Sequence, residues 1–349
     1  MAAPKKVLFI APFYNAFIRS DLEVLQTSFP VKQSVKNWQN RSLIPWRWLE
    51  QFFLLLRSAP QIQFIFIEFG GFWSMIPAYL GALLRIPVYI VLHGTDTASL
   101  PHYKYGSLRK KWIRSICGIS YRNASCLLPV SESLIYTDNQ YNAFDQLQGL
   151  KHFYPNLKTA IQVIPNGLSF EKWEADQDYK REARRFTAVF NDTQFLLKGG
   201  DLIEELALEF PDCEFVVIGT NGPQDSNLRK GKVKYLGRLS QAELKAEFHR
   251  SSFHFQLSRF EGFGLSLCEA MLCGCVPIVS SVNMLPEIVG ESGFVVKQAE
   301  LVALKEQVQK ALTASDLEER RQEAKARIKN QYSAAGRRQK LLSLLEVKA

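Results

Sequence analysis

The sequence predicts an α/β protein made of two doubly wound, Rossmann-like domains that face each other across a cleft. Three observations lead there. The chain has 349 residues, too many for one ordinary core and enough for two domains with a ligand-binding cleft between them. Its strand candidates are continuous apolar runs of the kind that fill parallel sheets covered on both faces. The alternation of strand and helix patterns also stops once, in a polar stretch, and then starts again.

The strand candidates of the first domain come in order as "VLFIAPF" (7–13), "IQFIFIEF" (62–69), "PVYIVL" (87–92), "ASCLLPV" (124–130) and "IQVIP" (161–165), with helical patterns between them. After "IPNG" (164–167) comes the charge-dense "EKWEADQDYKREARR". The second series is "FTAVF", "CEFVVIG", "KVKYLG", "SFHFQLS", "CVPIVSS" and "GFVV", each followed by a helix or turn. "YSAAGRRQKLLSLLEVKA" at the end reads as an amphipathic helix. The expected boundaries are therefore 1–167, 168–332 and a terminal helix over 333–349 that packs back on the first domain.

Composition narrows the class. With 47% hydrophobic and 22% charged residues the chain is globular rather than disordered or fibrous. The six cysteines lie mostly in apolar runs and lack the spacing of a zinc or redox site, so they read as reduced core residues of a cytoplasmic protein. "MAAPKKVLFIAPF" imitates a secretion signal, but its apolar run is short and no small-residue cleavage site follows. The apolar region from Ile62 to Leu92 is broken by Glu68, Pro77, Arg85 and Pro87 before a bilayer-spanning length of about 20 residues is reached.

Charge divides the chain. Residues 1–165 hold 17 Lys and Arg against 8 Asp and Glu, a balance of +9, whereas residues 166–349 hold 26 of each. Such asymmetry suggests an anionic partner for the first domain alone. Two stretches suit a membrane surface. One is "YGSLRKKWIRSICGISYRN" (105–123), a basic amphipathic pattern with Leu108, Trp112, Ile113, Ile116 and Ile119 on one side and Arg109, Lys110, Lys111 and Arg114 towards the other. The other is "RSLIPWRWLEQFFLLLR" (41–57), rich in Trp and Phe beside Arg. The alternative is that both are half-buried helices with solvated basic edges. Nucleic acid is not expected, because no binding motif or base-stacking platform is present.

The chemistry concentrates in "SRFEGFGLSLCEAMLCGCVPIVSS" (258–281), where Glu261 and Glu269 flank a glycine-bracketed turn that leads into a helix and a strand. This stretch resembles the paired-glutamate signature of the retaining glycosyltransferases of family 4, which have the GT-B fold. "VLHGTD" (91–96), "VIPNGLSF" (163–170), "LLKGGDLIEELA" (196–207) and "NMLPEIVGESGFVV" (283–296) resemble further segments of that family, in the same order. The resemblance implies a retaining, metal-independent glycosyltransferase. It would move a hexose-type sugar from a nucleotide-diphosphate sugar to a glycan or lipid-linked acceptor, in polysaccharide or glycolipid synthesis. No cofactor beyond the donor substrate is implied, and the place of work would be the cytoplasm or the inner face of the plasma membrane.

The implied roles are chemically coherent. A leaving diphosphate develops negative charge and needs positive groups already in place. The amides of Gly262, Phe263, Gly264 and Leu265 open a helix towards an anion, and Lys198 adds a point charge. Glu261 would accept hydrogen bonds from the transferred sugar and Glu269 from the ribose. His93 would contact the donor sugar near the reacting carbon. The family's diphosphate arginine is missing from "FNDTQFLLKGG", and Arg259 or Arg238 is the expected replacement, with Arg259 preferred. On the acceptor side, bulky "APFYNAFIRSD" stands where relatives carry glycines, which makes Tyr14, Asn15 and Arg19 candidate lining residues unless they merely cap the first helix near Ser20 or Asp21; Asp96, beside His93 in "VLHGTD", is a further acceptor-side candidate. "DQD" (176–178) imitates a metal signature but sits in the polar linker, so no metal site is expected. The rival readings are a non-catalytic nucleotide-sugar or glycan-binding protein and a disaccharide phosphorylase or synthase on the same fold.

Overall fold

The structure is a computed structural model that describes residues 5–347. The first four residues, part of the stretch weighed as a leader, and the last two of the terminal helix segment lie outside the described residues.

In chain order the strands are β1 (Lys6–Ala11), β2 (Val31–Val35), β3 (Ile62–Glu68), β4 (Val88–Leu92), β5 (Cys126–Pro129), β6 (Thr137–Asp138), β7 (Leu147–Gln148), β8 (Ala160–Ile161), β9 (Glu182–Val189), β10 (Glu214–Ile218), β11 (Val233–Leu236), β12 (Ser251–Gln256), β13 (Val276–Ser280) and β14 (Phe294–Val296). The helices are α1 (Ala16–Ser28), α2 (Ile44–Ser58), α3 (Phe72–Leu83), α4 (Lys111–Asn123), α5 (Leu150–Phe153), α6 (Gly200–Glu209), α7 (Gln241–Arg250), α8 (Leu265–Leu272), α9 (Leu285–Val289), α10 (Leu301–Thr313), α11 (Leu317–Gln331) and α12 (Ala334–Val347).

These elements form two compact units. The first takes the chain up to Thr137, Leu147–Asn166 and the segment from Ala335 on; the second takes Asp138–Gln146 and Gly167–Ala334. The short excursion 138–146, bracketed by β6 and β7, was not visible in the sequence because it carries no periodic apolar pattern. Of "IQVIP" only Ile161 enters the first sheet, paired there with Ala160 as β8.

The first unit is a six-stranded parallel sheet in the order β2-β1-β3-β4-β5-β8. Its inner strands are largely apolar because helices cover the sheet: β4 is buried at every position, and Leu8, Ile10, Ile65, Ile67, Ile90 and Leu127 share one core with residues of α2, α3 and α4. The second unit repeats the architecture as β11-β10-β9-β12-β13-β14, also parallel. Renumbered within the unit, that is the 3-2-1-4-5-6 order of a dinucleotide-type fold. Aromatic rungs hold its centre in register: Phe186 on β9 pairs with Phe215 on β10 and Phe253 on β12, the rings stacking at 5.2 and 4.7 Å. Such contacts each add about 0.5–1.5 kcal/mol beyond burial.

In open sheets of this kind ligands bind beyond the carboxyl ends of the strands, where the order reverses. That point lies between β9 and β12 in the second unit and between β1 and β3 in the first.

Candidate donor and acceptor sites

The loops after β9 and β12 carry the residues singled out in the second unit. Beyond β9 the chain makes one tight turn, in which the Asn191 side chain accepts from the Thr193 amide at 3.1 Å. It reaches Lys198 and turns at Gly199, whose φ is +74°. A Cβ there would meet the Leu257 carbonyl oxygen at 2.7 Å, so only glycine lets the start of α6 approach the loop after β12. The result brings Lys198 Nζ to 2.5 Å from Glu261 Oε2, with both side chains about one-seventh exposed.

Glu261 is held from several sides. Gln256 Nε2 donates to Oε2 at 2.6 Å and Ser258 Oγ at 3.1 Å, while the Glu261 amide donates to Asn283 Oδ1 at 3.0 Å. Asn283 takes φ +50° to do so, a conformation asparagine tolerates better than most residues. Gln256 in turn accepts from Ser266 Oγ in the first turn of α8 at 3.0 Å. Gln256, Ser258 and Asn283 were missed in the sequence. The glutamine that ends "FHFQ" carries no local mark of the partner it meets.

Gly264, at φ +104°, sends the chain into α8, and the first amides of the helix have no acceptor within it. Phe263 turns away from this mouth, 3% exposed and edge-on to Tyr332 at 5.3 Å, so only its main chain remains for a ligand. Ser266 and Glu269 share one face of α8. Burial alone pushes the Glu269 carboxyl up to about 8.

Arg259 departs from expectation. Its guanidinium grips Asp201 at 2.9 and 2.7 Å and the Leu196 carbonyl oxygen, and its own carbonyl oxygen accepts from Asn139 at 2.7 Å and Asn142 at 2.5 Å. At 6% exposure it is a strut between the loop after β12 and α6, because a bidentate carboxylate satisfies the planar fork that a diphosphate would otherwise take. Arg238, just beyond β11, is exposed. Asp176 of "DQD" pairs with Lys245 at 2.6 Å.

In the first unit the loops after β1, β3 and β4 gather Tyr14, Asn15, Arg19, His93 and Asp96. Asn15 is the N-cap of α1 and accepts from the Ile18 amide at 3.0 Å, so the helix starts before Ser20 and Asp21. Tyr14 donates to Gln33 at 2.7 Å with Arg19 4.7 Å over its ring. Phe13, Tyr14, Trp38, Phe72 and Trp73 line a cavity of about 470 Å³ with Lys36 at its edge. Asp96 is not a lining residue: it is 1% exposed and accepts from the amides of Gly70, His93 and Gly94 at 2.9–3.1 Å. Burial still raises its carboxyl to about 6.

The His93 ring does not stand open to a sugar. It lies between Phe17 and Phe69, with centroids at 4.6 and 4.3 Å, and its Nε2 is 2.7 Å from Glu68 Oε2. Burial drives the imidazole well below its ordinary value and the Glu68 carboxyl well above. Glu68, noted in the sequence only as a break in the apolar run, is a fourth residue that the sequence reading did not assign to a site.

Residues 194–330 match the family model of the glycosyl transferases group 1. The chain is 28% identical over 272 residues to GDP-mannose:cellobiosyl-diphosphopolyprenol alpha-mannosyltransferase of Xanthomonas oryzae, covering 73% of this chain and 65% of that protein. It is 33% identical over 84 residues to O-antigen chain mannosyltransferase B of Escherichia coli, covering 24% and 22%. It thus spans less than two thirds of either relative's length. Sucrose-phosphate synthase from Thermosynechococcus elongatus superposes with a TM-score of 0.72 at 13% identity, over 98% of both chains. Anabaena HepE in complex with UDP superposes with a TM-score of 0.69 at 16% identity, over 98% of this chain and 100% of that one. Residues 194–330 are thus similar to the glycosyl transferases group 1, and the chain has the GT-B fold.

Proposed function

We propose that the protein is a retaining glycosyltransferase that moves a hexosyl group from a nucleoside-diphosphate sugar to a glycan or lipid-linked acceptor, without a metal ion, in the synthesis of a cell-surface polysaccharide or glycolipid. The observation that supports it most is the pairing of Lys198 with Glu261 at the switch point of the second sheet, beside the opening turn of α8. A diphosphate entering there exchanges the Glu261 carboxylate for its own oxygens on Lys198. The freed carboxylate then accepts from sugar hydroxyls, while Lys198 and the α8 amides stabilise the charge that develops on the leaving group. Glu269 faces the ribose hydroxyls. Retention, a same-face attack in which the leaving phosphate takes the acceptor's proton, rests on the resemblance alone.

Two mannosyltransferases among the relatives make GDP-mannose the first donor to test, with UDP second because HepE binds it. The enclosure of Arg259 favours one other reading, a nucleotide-sugar-binding protein without catalysis. Calorimetric titration with GDP, UDP, ADP and dTDP tests the nucleotide site: one nucleotide should bind, and Lys198→Ala should weaken it by about tenfold or more; donor hydrolysis or transfer that disappears in Glu261→Ala excludes the binding protein. If none binds at millimolar concentration, the transferase reading falls.

A further inference from the structure

The sequence offers two stretches for a membrane surface, and the structure separates them. In α4 most of the apolar side turns inward: Ile113 and Ile116 pack on the cluster of Trp38, Ile44 and Phe72, and Trp112, 43% exposed, lies on Phe72 at 4.9 Å with Arg41 over its ring. In α2 the apolar side turns outward. Trp46, Leu49, Phe52, Phe53 and Leu56 are 64, 45, 37, 47 and 45% exposed, and at about 100° per residue they fall within an arc of about 120°.

This face is not surplus core. The inward side of α2 is already complete: Gln51 and Leu55 are buried, Trp48 Nε1 donates to the Phe72 carbonyl oxygen at 2.8 Å, and Gln51 Nε2 donates to that of Trp73 at 3.0 Å. Monomeric proteins seldom leave a contiguous apolar stripe of this kind without an occupant.

We propose that the outward face of α2 seats the first unit on an anionic lipid bilayer. Charge selects this occupant. Cations flank the stripe, Arg41 before it and Arg57 along its border, both exposed. The one acidic residue of α2, Glu50, is neutralised by Lys36 at 2.6 Å. Beside the stripe a groove of about 710 Å³ runs between α2 and the edge strand β2, with Phe53, Lys32, Arg57 and the mutually neutralised Lys36–Glu50 pair in its wall, so two cations and apolar side chains open side by side as a lipid headgroup and its acyl chains require. Among the described residues no helix is long and apolar enough to cross a membrane. At 15 residues, about 22 Å, α2 lies in the interface rather than spanning it. Trp and Phe suit that depth, with an apolar body and, in Trp46, one polar N–H.

The proposal deepens the reading of a lipid-linked acceptor, but its test needs no donor. Purified full-length protein should co-sediment with vesicles of phosphatidylglycerol and phosphatidylcholine at low salt and bind pure phosphatidylcholine at least about fivefold more weakly. Leu49→Glu with Phe53→Glu should reduce binding about tenfold or more without lowering the melting temperature, since both side chains are exposed. Brominated lipid should quench the wild type more than Trp46→Phe. The proposal is overturned if the wild type ignores anionic vesicles, if the double variant binds as the wild type does, or if the wild type is a stable dimer that the double variant dissolves. Vesicle binding without nucleotide binding leaves the docking surface standing and removes the transferase reading.

Discussion

Glu269 shows at the residue scale what burial does to a carboxyl on a helix. A carboxyl pushed up to about 8 by burial alone takes up a proton on folding. Its contribution to stability is therefore complete below the ordinary carboxylate value and is lost as pH rises through about 8, at roughly 1.4 kcal/mol per unit across the window. Glu269→Gln removes this dependence, so the melting temperature of the variant should rise relative to the wild type between about pH 5 and pH 8.5; equal slopes in a pH series of melts would refute it. Glu261 and Lys198 could be singled out from sequence because glycines and charged residues leave a spacing. Glu68 and Gln256 could not, because a lone polar residue at the end of an apolar strand reads the same whether it faces solvent or a buried histidine.

At the element scale, the positions that make the donor-side loops are backbone positions. Gly264 holds φ +104°, and its Cβ would stand 3.0 Å from Leu285 Cδ2. Gly264→Ala should cost about 1–3 kcal/mol and displace the first turn of α8, so a urea melt and a nucleotide titration should both register it. Unchanged affinity would show that the α8 amides are not part of the site. The helix α2 teaches a second lesson at this scale. The sequence marks 105–123 as a basic amphipathic pattern and 41–57 as rich in Trp and Phe beside Arg, and neither pattern sets the side from which the rest of the fold covers an apolar stripe.

At the scale of the whole chain, a contact distant in sequence closes the first unit. Arg337 in α12 grips Asp21 in α1 at 2.7 and 2.5 Å and reaches the carbonyl oxygens of Ile164 and Pro165 at 2.7 and 2.9 Å. The ion-paired side chains are 5 and 1% exposed. Arg337→Ala strands a buried carboxylate and should destabilise the unit by about 3–5 kcal/mol, whereas joint replacement of Arg337 and Asp21 by apolar residues should recover most of that loss; urea melts of the single and double variants decide it. The sequence by itself determined the two parallel sheets, the restart near residue 168 and the family signature, since strand burial, helix periodicity and glycine turns are local and leave their pattern in neighbouring residues. Tertiary structure alone decided that Arg259 is a strut, that His93 is enclosed with Glu68, that 138–146 joins the second unit and that α2 rather than α4 shows its apolar side. Each of these depends on partners far apart along the chain, and no local pattern carries the identity of a partner that folding has yet to bring near.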